Sequence, residues 1–417
     1  MFQGLTLEQA PPYIIPIKFY LTAVLYLIAF SIMTFTYALH VSSRYEYEVI
    51  AITHIFTIGF IAHIMFGSLF QMLPVMLSTA YTNVVKNAKT IHIFLNIGII
   101  AFVIGFLLNS TPFLYLGGIL LALSFLYFCF LSLKTIFLSE AFNALVQNFV
   151  ASFVALLIAV VFGFTALLGH FGFVDTIKYG NIHIAFMLFG WVFILIISVS
   201  YKIIPMFFVA KEFPSFLQKR LYIIQLILLF LFAYAQMQEE SLLLLASKIL
   251  LSSSVIIFAI FSIKRLKQRK RARKDISVTL WYFAMGNAIL TSLLFIFANL
   301  LHVNISFYIG FFALFGTIYP LINAMLYKII PFLTWFHLSS NMVFDAEMGN
   351  VIAKKNMTMQ INLYFFSFFL FLFVPFLHSF ILLATIVFLF SSLLLFVNII
   401  HAKKYYNEYI KKKVVFE

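Results

Sequence analysis

The sequence predicts an all-α integral membrane protein of twelve transmembrane helices in three pseudo-repeats of four, with both termini cytoplasmic. Three observations carry this: composition, the spacing of apolar runs and the placement of basic residues. The 417 residues are 64% hydrophobic and only 10% charged, whereas a soluble domain carries roughly a quarter charged residues. A porin-type barrel is excluded because its strands alternate polar and apolar over about ten residues. Here the apolar runs are unbroken. The single Cys129 excludes a disulfide framework and a cysteine metal cage.

Apolar runs of about twenty residues mark the spans. They fall at roughly 15–39, 49–75, 91–110, 113–137, 146–169 and 181–203, then 218–237, 242–263, 277–299, 305–327, 360–377 and 379–400. The first run follows MFQGLTLEQAPP, which has no basic start and no small-residue cleavage site, so a cleavable signal peptide is not expected. The second is bounded by RYEYE and closes at QMLPVM. The third follows VVKNAKT, and only NST separates it from the fourth. SEAFN precedes the fifth, and the sixth lies between DTIKYGN and YKIIP. The seventh runs from LQKR to QMQEE. The eighth ends in the basic stretch Lys264–Lys274, after which the ninth begins. HVN opens the tenth, AKKNMTMQ the eleventh, and the twelfth runs into AKKYYNEYIKKK.

Lys and Arg are retained on the cytoplasmic side of a membrane. When the loops are taken alternately, one side holds only Arg44, Lys178 and Lys248 of the 27 basic residues. The other side holds the rest, including both termini. Lys264–Lys274 is therefore read as a topology determinant touching anionic headgroups rather than a nucleic-acid patch. Reporters fused at Glu417 and within Lys264–Lys274 should both report cytoplasm, and an external signal from either would overturn this orientation.

Three spans end alike, in FQMLPVM, YKIIPMF and YKIIPFL. A glycine precedes each proline by fifteen residues, giving Gly59/Pro74, Gly190/Pro205 and Gly316/Pro331. These are helices two, six and ten, so the unit is four helices, with boundaries near 1–145, 146–275 and 276–417. The prolines are expected to end their helices, with Lys202 and Lys328 snorkelling to the headgroups. The matched glycines are expected where three inner helices pack closely.

No acidic residue falls in the middle of a predicted span, although ion-driven carriers place ionisable groups there. Histidines do fall near or within the spans. His40, His54, His170, His183, His302 and His378 lie toward the predicted outer side, His63 lies mid-helix, and His92, His337 and His401 lie toward the cytoplasm. Neutral imidazole suits haem iron or copper in a dry bundle. His54 and His183, at comparable depth in helices two and six, are the candidate ligands. His63, about 180° around the helix from His54, is expected to be a hydrogen-bonded packing residue.

Twelve helices in three fours, with HIFTIGFIAHIMFGSLFQMLPVM from His54 to Met76, resemble subunit I of the haem–copper oxidase superfamily, which includes the C-type oxidases and nitric oxide reductases. The second helix of that family carries a low-spin haem ligand, which the resemblance maps to His54. HIAFMLFG at His183–Gly190 is similar to the family's haem-binding tenth-helix pattern, here on helix six, where the family also has a copper ligand. Helix ten reads IGFFALFG, so Ile309 and Phe311 occupy the haem-ligand positions. Helix seven has no histidine pair for copper. The resemblance therefore implies a non-canonical member without the dinuclear centre, for which dioxygen or nitric oxide reduction is not expected.

Three readings follow. In the first, one haem b or copper bound near the outer face serves electron transfer or haem and copper handling in a respiratory or nitrogen-oxide pathway. His54 and His183 would then face one pocket beside Met187. The second is a transporter or permease, and the third is a cofactor-free structural subunit of a respiratory complex. Expected partners are the lipid bilayer of a bacterial-type inner membrane and respiratory-chain subunits or further copies of the chain; no nucleic acid is expected.

Overall fold

The structure, a computed structural model, describes residues 7–37, 43–140, 143–270, 274–301, 303–374, 376–377 and 379–416. Within them the fold is helical throughout. Eleven helices are long and apolar enough to cross a membrane: α1 Ile14–Tyr37, α2 Tyr47–Leu77, α3 Val84–Leu107, α4 Thr111–Phe137, α5 Ala144–His170, α6 Thr176–Phe208, α7 Ser215–Gln238, α8 Ser241–Lys267, α9 Ile276–Leu301, α10 Ser306–Ser340 and α12, whose span covers Phe380–Lys412. Between the last two lies α11, Lys354–Leu372.

α11 starts six residues before the predicted run and stops five short of its end. Its first turns, KKNMTMQIN, are too polar for a hydropathy window to register. They are nonetheless helical, because Gln360 is buried and satisfied: its Nε2 donates to Ser391 Oγ on α12 at 2.8 Å, and its Oε1 accepts from Tyr327 OH at 2.9 Å. The helix ends ahead of Val374-Pro375, a pair that disfavours helical backbone. α12 is 37 residues long, about 55 Å at 1.5 Å per residue, well beyond a hydrocarbon core of about 30 Å.

The prolines do not end their helices, contrary to expectation. Pro74, Pro205 and Pro331 all lie inside them. α2 and α6 stop three residues later, at Leu77 and Phe208, so the bond each proline fails to give to the carbonyl four residues before it does not end the helix at the proline. α10 continues to Ser340. There Thr334 Oγ1 donates to Ile330 O at 2.9 Å and accepts from Tyr13 OH at the same distance, anchoring the turn beyond Pro331.

Two compact units make up the chain, one built mainly on Ala122–Leu321 and the other on Glu8–Val75, Ala80–Leu121 and Ile322–Glu417. In the first, α5 through α8 pack around Ala155, Ala159, Phe186, Leu229 and Leu251. Side-chain caps start two of its helices. Asn143 Oδ1 accepts from Val146 N at 3.1 Å, and Asp175 Oδ1 accepts from Ile177 N and Lys178 N at 2.8 and 3.1 Å, supplying donors that a helix start leaves unpaired. Lys178, one of the three basic residues on the predicted outer side, pairs with Glu239 at 2.6 Å.

In the second unit α3 and the first part of α4 touch backbone to backbone. A β-carbon at Gly117 would lie 2.4 Å from Phe102 N, and one at Gly105 would lie 2.7 Å from Leu114 N. Small residues that admit such approach are a main device of helix pairing in lipid, where the hydrophobic effect does not drive helices together.

Candidate functional site

The matched glycines mark a feature that hydropathy does not register. Around each of them the helix widens into a π-helical segment: Ile55–Ala62 in α2, Phe186–Val192 in α6 and Phe312–Ile318 in α10. Such segments are rare and recur at functional sites. Each glycine meets the preceding helix. Added β-carbons would stand 2.7 Å from Tyr26 Cβ at Gly59, 2.8 Å from Ala155 Cβ at Gly190 and 2.9 Å from Asn287 Oδ1 at Gly316. The three helices are also the most buried spans, at 61%, 61% and 67% of their apolar windows, as inner helices should be.

In all three helices a side chain takes up a carbonyl of the π segment. Gly59 and Gly190 are each preceded by such a carbonyl. Ile58 O accepts from His63 Nδ1 at 3.0 Å, and Phe189 O accepts from Gln225 Nε2 of α7 at 3.0 Å. In α10, Thr317 Oγ1 donates to Phe312 O at 2.9 Å. Gln225 is fully buried, and its Oε1 accepts from Ser254 Oγ at 2.6 Å, so neither end of its amide is left without a partner, as burial demands.

His54 closes the regular part of α2 immediately before the first π segment. It is half-buried, its Nδ1 donates to Ile50 O at 2.7 Å, and its ring lies edge-on to Phe102 with centroids 5.1 Å apart. His183 sits seven residues before Gly190. Its Nδ1 donates to Ala159 O on α5 at 2.8 Å. Room for that ring comes from Gly163, where a β-carbon would stand 2.6 Å from His183 Nδ1. Each histidine thus has its Nδ1 proton committed to a carbonyl, which fixes the tautomer and the orientation of its ring. Ligating histidines are commonly oriented in this way.

His54 belongs to the second unit and His183 to the first, and each makes these contacts inside its own unit. Met187 packs against the core of the first unit beside Phe186. Phe311 stacks on Phe307 and Phe315, with centroids 6.0 and 5.7 Å away. His40, His302 and His378 lie outside the described residues, as do residues 271–273 of the basic stretch.

The structure brings together a second pair of histidines that the sequence reading had separated. His63 and His92 stand with ring centroids 5.7 Å apart, nearly perpendicular. Asn96 joins them, its Nδ2 donating to His63 Nε2 at 3.2 Å and to His92 O at 2.6 Å, while its Oδ1 accepts from Tyr26 OH at 2.9 Å. Thr22 Oγ1 bonds His92 Nε2 at 2.9 Å. A signal for this network was present in the four-residue spacing of Thr22 and Tyr26 on α1 and of His92 and Asn96 on α3, which aligns each pair on one helix face. Both nitrogens of His63 are occupied, so the network clamps α1, α2 and α3 and offers no ligand there.

Among the described residues no three His, Cys, Asp or Glu side chains come together as a metal-binding group. Haem iron brings four porphyrin nitrogens and needs only one or two axial side chains, which single imidazoles with oriented Nε2 atoms can supply. Neither a protein-family model nor a curated protein matches the sequence.

Proposed function

We propose that the chain is a membrane protein of the haem–copper subunit I type, with twelve spans and cytoplasmic termini, that binds one haem and lacks a dinuclear oxygen- or nitric-oxide-reducing centre. His54 would hold the haem iron, and His183 is the alternative. A bound haem would supply one-electron transfer. The chain's own part is to orient imidazole: Ile50 O holds the Nδ1 proton of His54, Phe102 limits the tilt of its ring, and the π segment begins on its next residue.

The observation that carries this reading is the threefold recurrence of glycine, π segment and proline on α2, α6 and α10, with His54 and His183 directly upstream of two of the π segments. It supports an architecture of three equivalent inner helices, which the family resemblance requires. The reading is tested by the absorption spectrum of the purified protein. A Soret band with a reduced α-band is expected, and His54→Ala should abolish it while His183→Ala changes it less. A colourless preparation from haem-replete cells would overturn the proposal.

A further inference from the structure

On the face of α11 turned away from α12 runs a shallow groove. Lys354 and Lys355 stand at one end, Thr358 and Asn362 follow, and Met359, Leu363 and Phe366 form the remainder. The opposite face is committed to the protein: Gln360, Ile361, Tyr364 and Phe368 are buried, and Ser367 Oγ donates to Ala384 O of α12 at 2.8 Å. The groove side is open, with Met359 52% and Phe366 54% exposed. From Lys354 to Phe366 the helix rises about 18 Å, comparable to one leaflet from its headgroup level inward.

The groove runs as a phospholipid does from charged head to apolar tail, with the cations Lys354 and Lys355 first, Thr358 and Asn362 flanking Met359 next, and Leu363 and Phe366 last. Thr358 Oγ1 donates to Lys354 O at 2.9 Å. Asn362 is exposed on a stripe that is otherwise apolar below it, at the depth where ester carbonyls would accept from its amide. The neighbouring end of α12 is fixed alongside, because His401 Nδ1 donates to Val351 O at 3.0 Å. It brings Lys403 and Lys404 to the same end of the helix pair. The nearby carboxylate of Glu347 is engaged by the Asn350 amide at 3.1 Å.

We infer that this groove is a binding site for one anionic phospholipid, with the phosphate held by Lys354 and Lys355 and an acyl chain lying along Met359, Leu363 and Phe366. Charge complementarity selects an anionic over a zwitterionic headgroup, and the apolar half selects a lipid over a free phosphate.

The test uses full-length protein reconstituted in nanodiscs of phosphatidylcholine with phosphatidylglycerol, released into the gas phase for native mass spectrometry. Wild type should retain one phosphatidylglycerol beyond the number kept by Lys354→Ala/Lys355→Ala, whose apparent affinity falls about tenfold. Leu363→Trp, which fills the apolar half and leaves the charges, should also lose that lipid. Inorganic phosphate should not displace it. A control, Lys264→Ala/Lys267→Ala at the end of α8, removes as much charge and should retain it. Equal retention by wild type and both groove variants would overturn the inference, as would an equal loss in the α8 control or displacement by phosphate.

Discussion

Gly190→Leu is expected to lower the thermal unfolding midpoint of the detergent-solubilised protein by more than Gly316→Leu does. Its first added carbon would stand 2.8 Å from Ala155 Cβ and 3.2 Å from Leu229 Cδ1, inside the spacing of about 3.5–4.0 Å at which carbons pack. Ala155 and Leu229 are both fully buried, so neither can swing away into lipid. Overpacking of this kind costs about 1–3 kcal/mol or more. The same substitution at Gly316 should cost less, because the atom met first there is the amide tip of Asn287 at 2.9 Å, and a side-chain tip can rotate aside. Gly286 is the control: no atom lies within 4 Å of a β-carbon there, and Gly286→Ala should gain up to about 1 kcal/mol of helix propensity. Fluorescence-monitored melting of the four proteins reads the order directly. A Gly190→Leu midpoint equal to wild type would remove the close-packing account of the repeat.

Much of this architecture was legible in the chain because lipid imposes a length rule. Eleven of the predicted apolar runs coincide with helices of sufficient length. The eleventh run was misjudged because its helix begins with Lys354, Lys355 and Asn356, and buries Gln360 by hydrogen bonding instead of by hydropathy. The glycine-to-proline spacing located three glycines at which helices pack closely, yet it could not announce the π segments. An apolar run such as IFTIGFIA shows no contrast between faces, so its period cannot be read from its residues. The prolines misled for a related reason. A missing N–H weakens one turn, and whether the helix survives depends on side chains far away in sequence, such as Tyr13 at Thr334. The histidines were sorted by depth and by angle around the helix, which marked His63 as a hydrogen-bonded packing residue. Depth does not tell that His92 reaches Thr22 or that His63 finds Asn96, since those bonds span 70 and 33 residues.

His63→Leu should therefore be costly to stability, whereas His54→Ala should act on the prosthetic group. His63 is fully buried, and leucine is close to it in volume, so the loss will not be a cavity. It will be the side-chain partner of two polar groups: Ile58 O, which His63 Nδ1 bonds, and the Asn96 amide, which also anchors Tyr26. Each buried group left unsatisfied costs about 1–3 kcal/mol, and the surrounding lipid offers no water to replace the partner. Asn96→Ala removes the other half of the same network. The two substitutions should consequently be non-additive in a double-mutant cycle, with a coupling of at least about 0.5 kcal/mol as for residues in direct contact. Unfolding midpoints for wild type, both single variants and the double variant measure this. Strictly additive losses, or a His63→Leu midpoint at the wild-type value, would mean that α1, α2 and α3 are held by packing alone and that the histidine pair stands there without structural consequence.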